Sequence, residues 1–199
     1  ITAAIVSEAG SFEVAPAMLA EPRHDEILVR IVAAGLCHTD LVVRDQVYPV
    51  PLPVVLGHEG SGVVEAVGSA VTKFEVGEHV ALSFLPCGQC RPCLDGSPAS
   101  CANFNDLNFA GHRPDGSHAL TLADGGVLHD RFFGQSSFAS HAIANERNAV
   151  KVRKDAPLEL LGPLGCGVQT GAGTVWRALE VGPGASFVVT GAGAVGLSA

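Results

Sequence analysis

The chain offers its metal chemistry in one compact stretch. CGQCRPC is followed by LDGSPAS and a further cysteine, so that Cys87, Cys90, Cys93 and Cys101 form C-x2-C-x2-C-x7-C. Two-residue gaps let consecutive thiolates converge on one ion, and the seven-residue loop returns a fourth. Four thiolates at about 2.3 Å close a tetrahedral Zn(II) and leave no position for substrate, which makes such a site structural. An iron–sulfur cluster is the competing occupant of the same ligands. Disulfides fit less well, because they belong to small secreted chains without a core, and this chain is 47% apolar over 199 residues.

Two thiols stay outside that cluster, Cys37 and Cys166, and the second lies in GPLGCGVQTGAG among many glycines. GHEGSGVVEAVG places His58 between Gly57 and Glu59, with Gly62 and Gly68 expected to permit tight turns around an extended segment. A histidine in such a position is by itself more often structural than ligating. Two thiolates and one imidazole around an open fourth position would nevertheless make a catalytic zinc pattern. That set on Zn(II) is neutral, whereas four thiolates leave −2, so only the former keeps the ion a useful Lewis acid.

The elements that must position these groups fall into two parts. EILVRIVAAG (26–35), SGVVEAVG (61–68) and EHVALSF (78–84) are β-branched runs of strand length, spaced as in a barrel or sandwich. VYPVPLPVVLG (47–57) is too rich in proline for a sheet interior and reads as extended loop. Residues 86–118 lack periodicity and read as a lobe held together by something other than a core. After about Lys154 the pattern changes. Asp155 is a plausible helix N-cap ahead of APLELLG, with Pro157 in the first turn. Val168, Ala172, Val175 and Leu179 recur at helical spacing. SFVVT then reads as a buried strand before GAGAVG, a G-x-G-x-x-G (Gly191, Gly193, Val195, Gly196) of the kind that lets a dinucleotide pyrophosphate approach backbone.

These motifs carry a resemblance. CHTDLVVRDQ, YPVPLPVVLGHEGSG, FFGQSSFA and ELLGPLGCGVQTGAG resemble the medium-chain, zinc-dependent alcohol dehydrogenase family, and within it the NAD-dependent aryl (benzyl) alcohol dehydrogenases. The resemblance implies a mainly β GroES-like catalytic domain over 1–154, with the structural zinc lobe at 86–118. It implies for 155–199 linking helices and the first strand and glycine turn of an incomplete α/β Rossmann cofactor domain, so the chain reads as a fragment expected to bind zinc yet turn over poorly. Two Zn(II) are implied, one held by Cys37, His58 and Cys166 and one by the four clustered cysteines.

The same resemblance makes Asp40 the partner of the ligating histidine, Glu59 a modulator behind the metal, and Thr39 the hydroxyl that starts the proton's exit. It places His38 against the pyrophosphate and Thr170 beside the nicotinamide. Where many relatives carry a relay histidine this chain has Val42, which leaves the proton route without that step. The implied reaction is oxidation of an aromatic primary alcohol to the aldehyde with hydride transfer to NAD. A glutathione-dependent formaldehyde dehydrogenase and a non-catalytic zinc-stabilised module are the rivals. For the full-length protein the resemblance implies a homo-oligomer and a small-molecule alcohol or aldehyde substrate. A net charge of −8 argues against nucleic acid and anionic membranes, and the absence of a long apolar run or signal pattern reads as cytoplasmic. The remaining histidines, His24, His79, His112, His118, His129 and His141, receive no role.

Overall fold

A computed structural model describes residues 1–199. Nine strands and five short helices follow in the order β1 (Thr2–Val6), β2 (Glu13–Leu19), β3 (Glu26–Ala34), α1 (His38–Arg44), β4 (Val54–Val55), β5 (Gly60–Val67), β6 (His79–Leu82), α2 (Arg91–Leu94), α3 (Phe104–Asn108), β7 (Leu120–Leu122), β8 (His141–Asn145), β9 (Ala149–Val152), α4 (Gly167–Gly173) and α5 (Ala194–Ser198). The strands form two antiparallel sheets, one ordered β4-β1-β2-β7 and the other β8-β3-β5-β6-β9. No helix is long and apolar enough to cross a membrane.

The alternation that marks β3 in the sequence is what fills the five-stranded sheet. Ile27 and Val29 point inward and meet Val64, Val80, Leu82 and Phe74. The smaller sheet closes over Ile5, Val55, Leu120 and Leu128. A third cluster, with Val43 of α1 against Val6, Leu56 and Phe132, fastens the helix that begins after Cys37 to the barrel wall. Burial of side chains this size supplies roughly 1.5–3 kcal/mol each, so α1 is placed by its core face, being too short to hold itself.

Four expectations need correction. SFVVT pairs with nothing: residues 185–192 carry no strand, and Val188 stands 88% exposed. A buried parallel strand needs hydrogen-bonded neighbours on its flanks, and these residues have none. Asp155 caps no helix; the turn at Leu158–Leu160 is a short 3-10 segment entered through Pro157 without a side-chain cap. The proline-rich stretch 47–57 is loop as expected until Val54–Val55, which pairs at the edge of the smaller sheet with β1. Gly62 lies within β5 and makes no turn, whereas Gly68 opens one as expected, its carbonyl accepting the Val71 N–H at 3.1 Å. A Cβ on Gly62 would meet the Arg30 carbonyl across a bulge in the β3–β5 pairing, and one on Gly68 would meet the backbone at Arg23. Gly62 thus serves close approach between strands, and Gly68 close approach to the loop ahead of β3.

One buried charge network was invisible in the pattern. Glu26, 2% exposed at the start of β3, takes a two-pronged hydrogen bond from Arg113 at 2.8 Å and 2.8 Å, and Arg131 reaches it at 3.0 Å. Arg113 also donates to the His118 carbonyl and Arg131 to that of Ile143. Three segments distant in sequence are thereby joined. Burial pushes the Glu26 carboxyl up, but the Arg113 hydrogen bond and the Arg131 charge outweigh it and hold it below its ordinary 4.5. Its stabilisation is therefore complete above about pH 4.5 and lost as pH falls through the lowered folded value. Glu26→Gln, which strands two buried guanidinium groups, is expected to cost about 3–5 kcal/mol at neutral pH. Denaturant melts should show that gap, and the gap should narrow below pH 4.5.

Candidate metal centres and cofactor cleft

Cys37 caps the N-terminus of α1 in extended conformation. The third helical residue, Asp40, is fully buried and reaches back to accept the Cys37 N–H at 2.9 Å. Its other oxygen accepts the Gly57 N–H at 3.1 Å and faces His58 Nδ1 at 3.0 Å. That contact commits Nδ1 of the imidazole to the carboxylate and turns Nε2 the opposite way, where it is buried and without any hydrogen-bond partner. An orphaned ring nitrogen of this kind calls for an occupant.

What Nε2 faces is sulfur and carboxylate. Ligand atoms of Cys37, His58, Glu59 and Cys166 all lie within 4.8 Å of one another, and the two sulfurs stand 4.0 Å apart. Sulfurs on a tetrahedral Zn(II) are separated by about 3.8 Å, so the donors fit such an ion. Electrostatics agree with the geometry. The neighbouring Cys166 thiol, then the nearby His58 imidazole, hold Cys37 down at about 3 against the effect of burial. The same contact with Cys37, with burial added, drives Cys166 upward. Burial would lower His58, but Asp40 and then Cys37 lift it to about 9. These groups titrate together, as donor atoms crowded around one point do.

Glu59 is enclosed by backbone. Its Oε1 accepts the Gly167 N–H at 3.2 Å and its carbonyl accepts the Gly35 N–H at 2.9 Å. A Cβ on Gly35 would strike the carboxylate, and one on Gly162 the Glu59 carbonyl. The glycines around Cys166 thus admit Glu59 to the cluster. Thr39 places Oγ1 3.6 Å from Cys37 Sγ. Val42 is half-buried on α1 and offers no proton carrier.

The second cluster lies in the 86–118 lobe. Sulfur–sulfur distances of 3.9 Å (Cys87–Cys93), 3.4 Å (Cys90–Cys93) and 3.9 Å (Cys90–Cys101) match a tetrahedral thiolate cage and are far too long for disulfides. Backbone N–H groups of Cys87, Cys90 and Ala102 donate to these sulfurs, as suits thiolates. The hydrogen bond from Gln89, with that from Cys90, draws Cys87 down to about 6. All four sulfurs are engaged with one another, so this cluster has no open side.

Two clefts flank the mixed cluster. One, of about 600 Å³, is bounded by Cys37, His38, Glu59 and the turn containing Gly191, Gly193, Val195 and Gly196. Gly191 has φ +98, and Gly193 precedes α5 in extended conformation. A Cβ on Gly196 would meet the Gly191 carbonyl, and one on Gly171 of α4 the Val195 carbonyl. The other cleft, of about 740 Å³, runs past Cys166 along Phe84, Phe104 and Phe133. Thr170 opens on this second cleft and does not line the one that holds the glycine turn. Its carbonyl accepts the Thr174 hydroxyl at 2.7 Å.

The segment FFGQSSFA supplies residues to which no role was given from sequence. Phe133 stacks on the His58 ring at 4.4 Å, and Phe132 meets its edge. Gln135, 2% exposed, bonds the backbone on both sides of Glu59. The available signal was the motif itself, which fixed a likeness without saying which side chains turn inward.

A β-barrel wall carrying a two-thiolate, one-imidazole cluster beside a separate four-thiolate lobe defines a class, and the family comparison agrees. The alcohol dehydrogenase GroES-like domain matches residues 23–154, and the chain belongs to the medium-chain, zinc-dependent alcohol dehydrogenase family. Among particular relatives, geraniol dehydrogenase of Castellaniella defragrans is 55% identical over 191 residues, which cover 96% of this chain and 51% of that one. The crystal structure of benzyl alcohol dehydrogenase from Acinetobacter calcoaceticus is 55% identical with a TM-score of 0.94, covering 100% and 53%. That of an alcohol dehydrogenase zinc-binding domain protein from Burkholderia ambifaria is 60% identical with a TM-score of 0.97, covering 99% and 54%. The chain spans about half the length of these relatives.

Metal analysis of the purified chain is expected to find two zinc ions. Cys101→Ser should remove one and loosen the lobe, while His58→Ala should remove the other and leave the lobe intact. Asp40→Asn keeps the shape but turns an N–H toward one of three donors, and should weaken the mixed site alone by about 10–100-fold, as measured by competition with a chromogenic chelator.

Proposed function

We propose that this chain carries the metal-binding half of an NAD-dependent alcohol dehydrogenase acting on primary alcohols whose carbinol is attached to a planar apolar group, aryl or allylic. The observation that carries the reading is the aromatic cleft ending at Cys166, beside the orphaned His58 Nε2. Phe84, Phe104 and Phe133 offer ring faces and edges to a flat substrate, an arrangement favoured over saturated chains of equal size. The names of two relatives, a geraniol and a benzyl alcohol dehydrogenase, belong to one substrate type of this description.

When bound, Zn(II) supplies a Lewis acid for the alcohol oxygen and NAD supplies the hydride acceptor. The chain's own residues do the rest. Cys37, His58 and Cys166 hold the ion, Asp40 fixes the imidazole, and Glu59 stands ready as an alternative carboxylate ligand. Thr39 Oγ1 accepts the alcohol proton and, with Val42 in place of a histidine, hands it to solvent rather than to a side-chain relay. His38 and the turn at Gly191, Gly193, Val195 and Gly196 form the pyrophosphate wall of the first cleft. Thr170, which lines the second cleft with Cys166, would contact the nicotinamide from there. In the fold shown here the glycine turn packs on α4 alone and SFVVT is unpaired, so these 199 residues by themselves are expected to bind metal while turning over alcohol weakly.

The substrate class is tested by kcat/KM of the whole enzyme for benzyl alcohol, geraniol, a saturated alcohol of similar size and the glutathione adduct of formaldehyde. Both planar substrates should exceed the saturated one by about tenfold or more, equivalent to roughly 1.4 kcal/mol of added contact. Phe133→Ala should erase most of that difference. Preference for the glutathione adduct would sink the reading.

A further inference from the structure

Gln135 is buried, uncharged and distant in sequence from every ligand, yet its amide satisfies three backbone groups around the mixed cluster. Oε1 accepts the Gly60 N–H at 3.1 Å, while Nε2 donates to the His58 carbonyl at 2.9 Å and to the Ser83 carbonyl at 3.1 Å. The two flanks of the ligand-bearing segment show why an amide is needed there. Segments 136–138 and 55–57 are already laced together: Ser136 Oγ donates to the Val55 carbonyl, Phe138 N–H to that of Leu56 and Ser137 N–H to that of Gly57. That lacing stops at Gly57, whose φ of +91 turns the chain. From His58 to Gly60 the side chain of Gln135 continues the ladder in place of backbone. A Cβ on Gly57 would collide with Phe138 and one on Gly60 with Ser137, so both glycines of GHEG are there to admit this strap.

The third bond extends the reach to the other thiolate. Ser83 Oγ donates to the Gly165 carbonyl at 2.8 Å, one residue before Cys166. His58 and Cys166 belong to different parts of the chain, and Gln135 with Ser83 is a continuous hydrogen-bonded path between their backbones.

We propose that Gln135 is a positioning residue for the mixed metal centre, setting the imidazole of His58 against the Cys166 sulfur through the Gly60, His58 and Ser83 backbone. The proposal rests on Cys37, His58 and Cys166 holding a metal. Its test is the release of ions from the full chain to an excess chelator, followed as two phases, with Co(II) replacing zinc to separate the mixed site from the four-sulfur site by ligand-field bands. Gln135→Leu removes all three bonds; Gln135→Glu keeps the size and removes the donor pair, and serves where the leucine variant does not fold. Each should speed release from the mixed site by about 10–100-fold and shift its Co(II) bands, with the four-sulfur phase unchanged. Wild-type release and spectrum in both variants overturn the proposal, as does simultaneous loss of both ions, which marks a merely structural role. A wild-type chain holding only the four-sulfur ion overturns the reading of the site, and this one with it.

Discussion

The mixed cluster depends on one buried carboxylate. Asp40 has no surface exposure and no lysine or arginine among its hydrogen bonds; it is held by two backbone N–H groups and one imidazole. Burying a carboxylate without satisfying it would cost several kcal/mol, and charge-assisted bonds from fixed donors are what make the burial tolerable. Because those donors come from Cys37, Gly57 and His58, satisfying the carboxylate and assembling the site are the same event. Position N3 of α1 adds the favourable end of a short helix. The dependence also runs backward. Gly57 must adopt a positive φ to present its N–H, and the neighbouring Phe138 leaves no space for a side chain there.

A second constraint acts from outside. Residues 131–136 include Arg131, Phe133 and Ser136 at positive φ, each a conformation that costs a non-glycine residue of order 1–3 kcal/mol. The Glu26–Arg113–Arg131 network and the packing of Phe132 in the core hold the segment in that shape. The strain is spent on direction: consecutive residues that would alternate along a strand are instead all delivered toward the site. Phe132 goes to the core, Phe133 to the His58 ring and Gln135 to the Ser83 carbonyl.

These two constraints explain what was legible in the sequence. The four-cysteine lobe was readable in full because its geometry is local, with all ligands inside fifteen residues and spacing that is itself the coordination pattern. β3, β5 and β6 were readable because β-branched runs of strand length leave a trace in residue type. Cys37, His58 and Cys166 could be grouped only by likeness to a family, since nothing in the residues between Cys37 and Cys166 reports that their sulfurs end 4.0 Å apart. Gln135 and Glu26 were silent for a related reason. A buried polar residue looks like a surface one until its partners are known, and those partners are mostly backbone groups or arginines from elsewhere in the chain. SFVVT erred in the opposite direction: hydrophobic run length announces a strand that wants burial, but only neighbouring strands decide whether it gets it.

The contrast between the two clusters has a physical consequence for how the protein divides its labour. In the lobe, short loops fix the sulfurs and the backbone N–H groups of the same loops stabilise them, so the cage is closed by local geometry and resists opening. The mixed cluster has the reverse construction. A helix cap, the turn ahead of β5 and the turn ahead of α4 each deliver a ligand, and each is fixed by a different part of the core. Such a centre would leave a side of an ion free because no single loop surrounds it, and one cleft runs past Cys37 and another past Cys166. The exposure of this cluster to the clefts and its reliance on distant packing are therefore linked: its ligands arrive from separate elements, and separate elements need Asp40 and its surroundings to hold them in register.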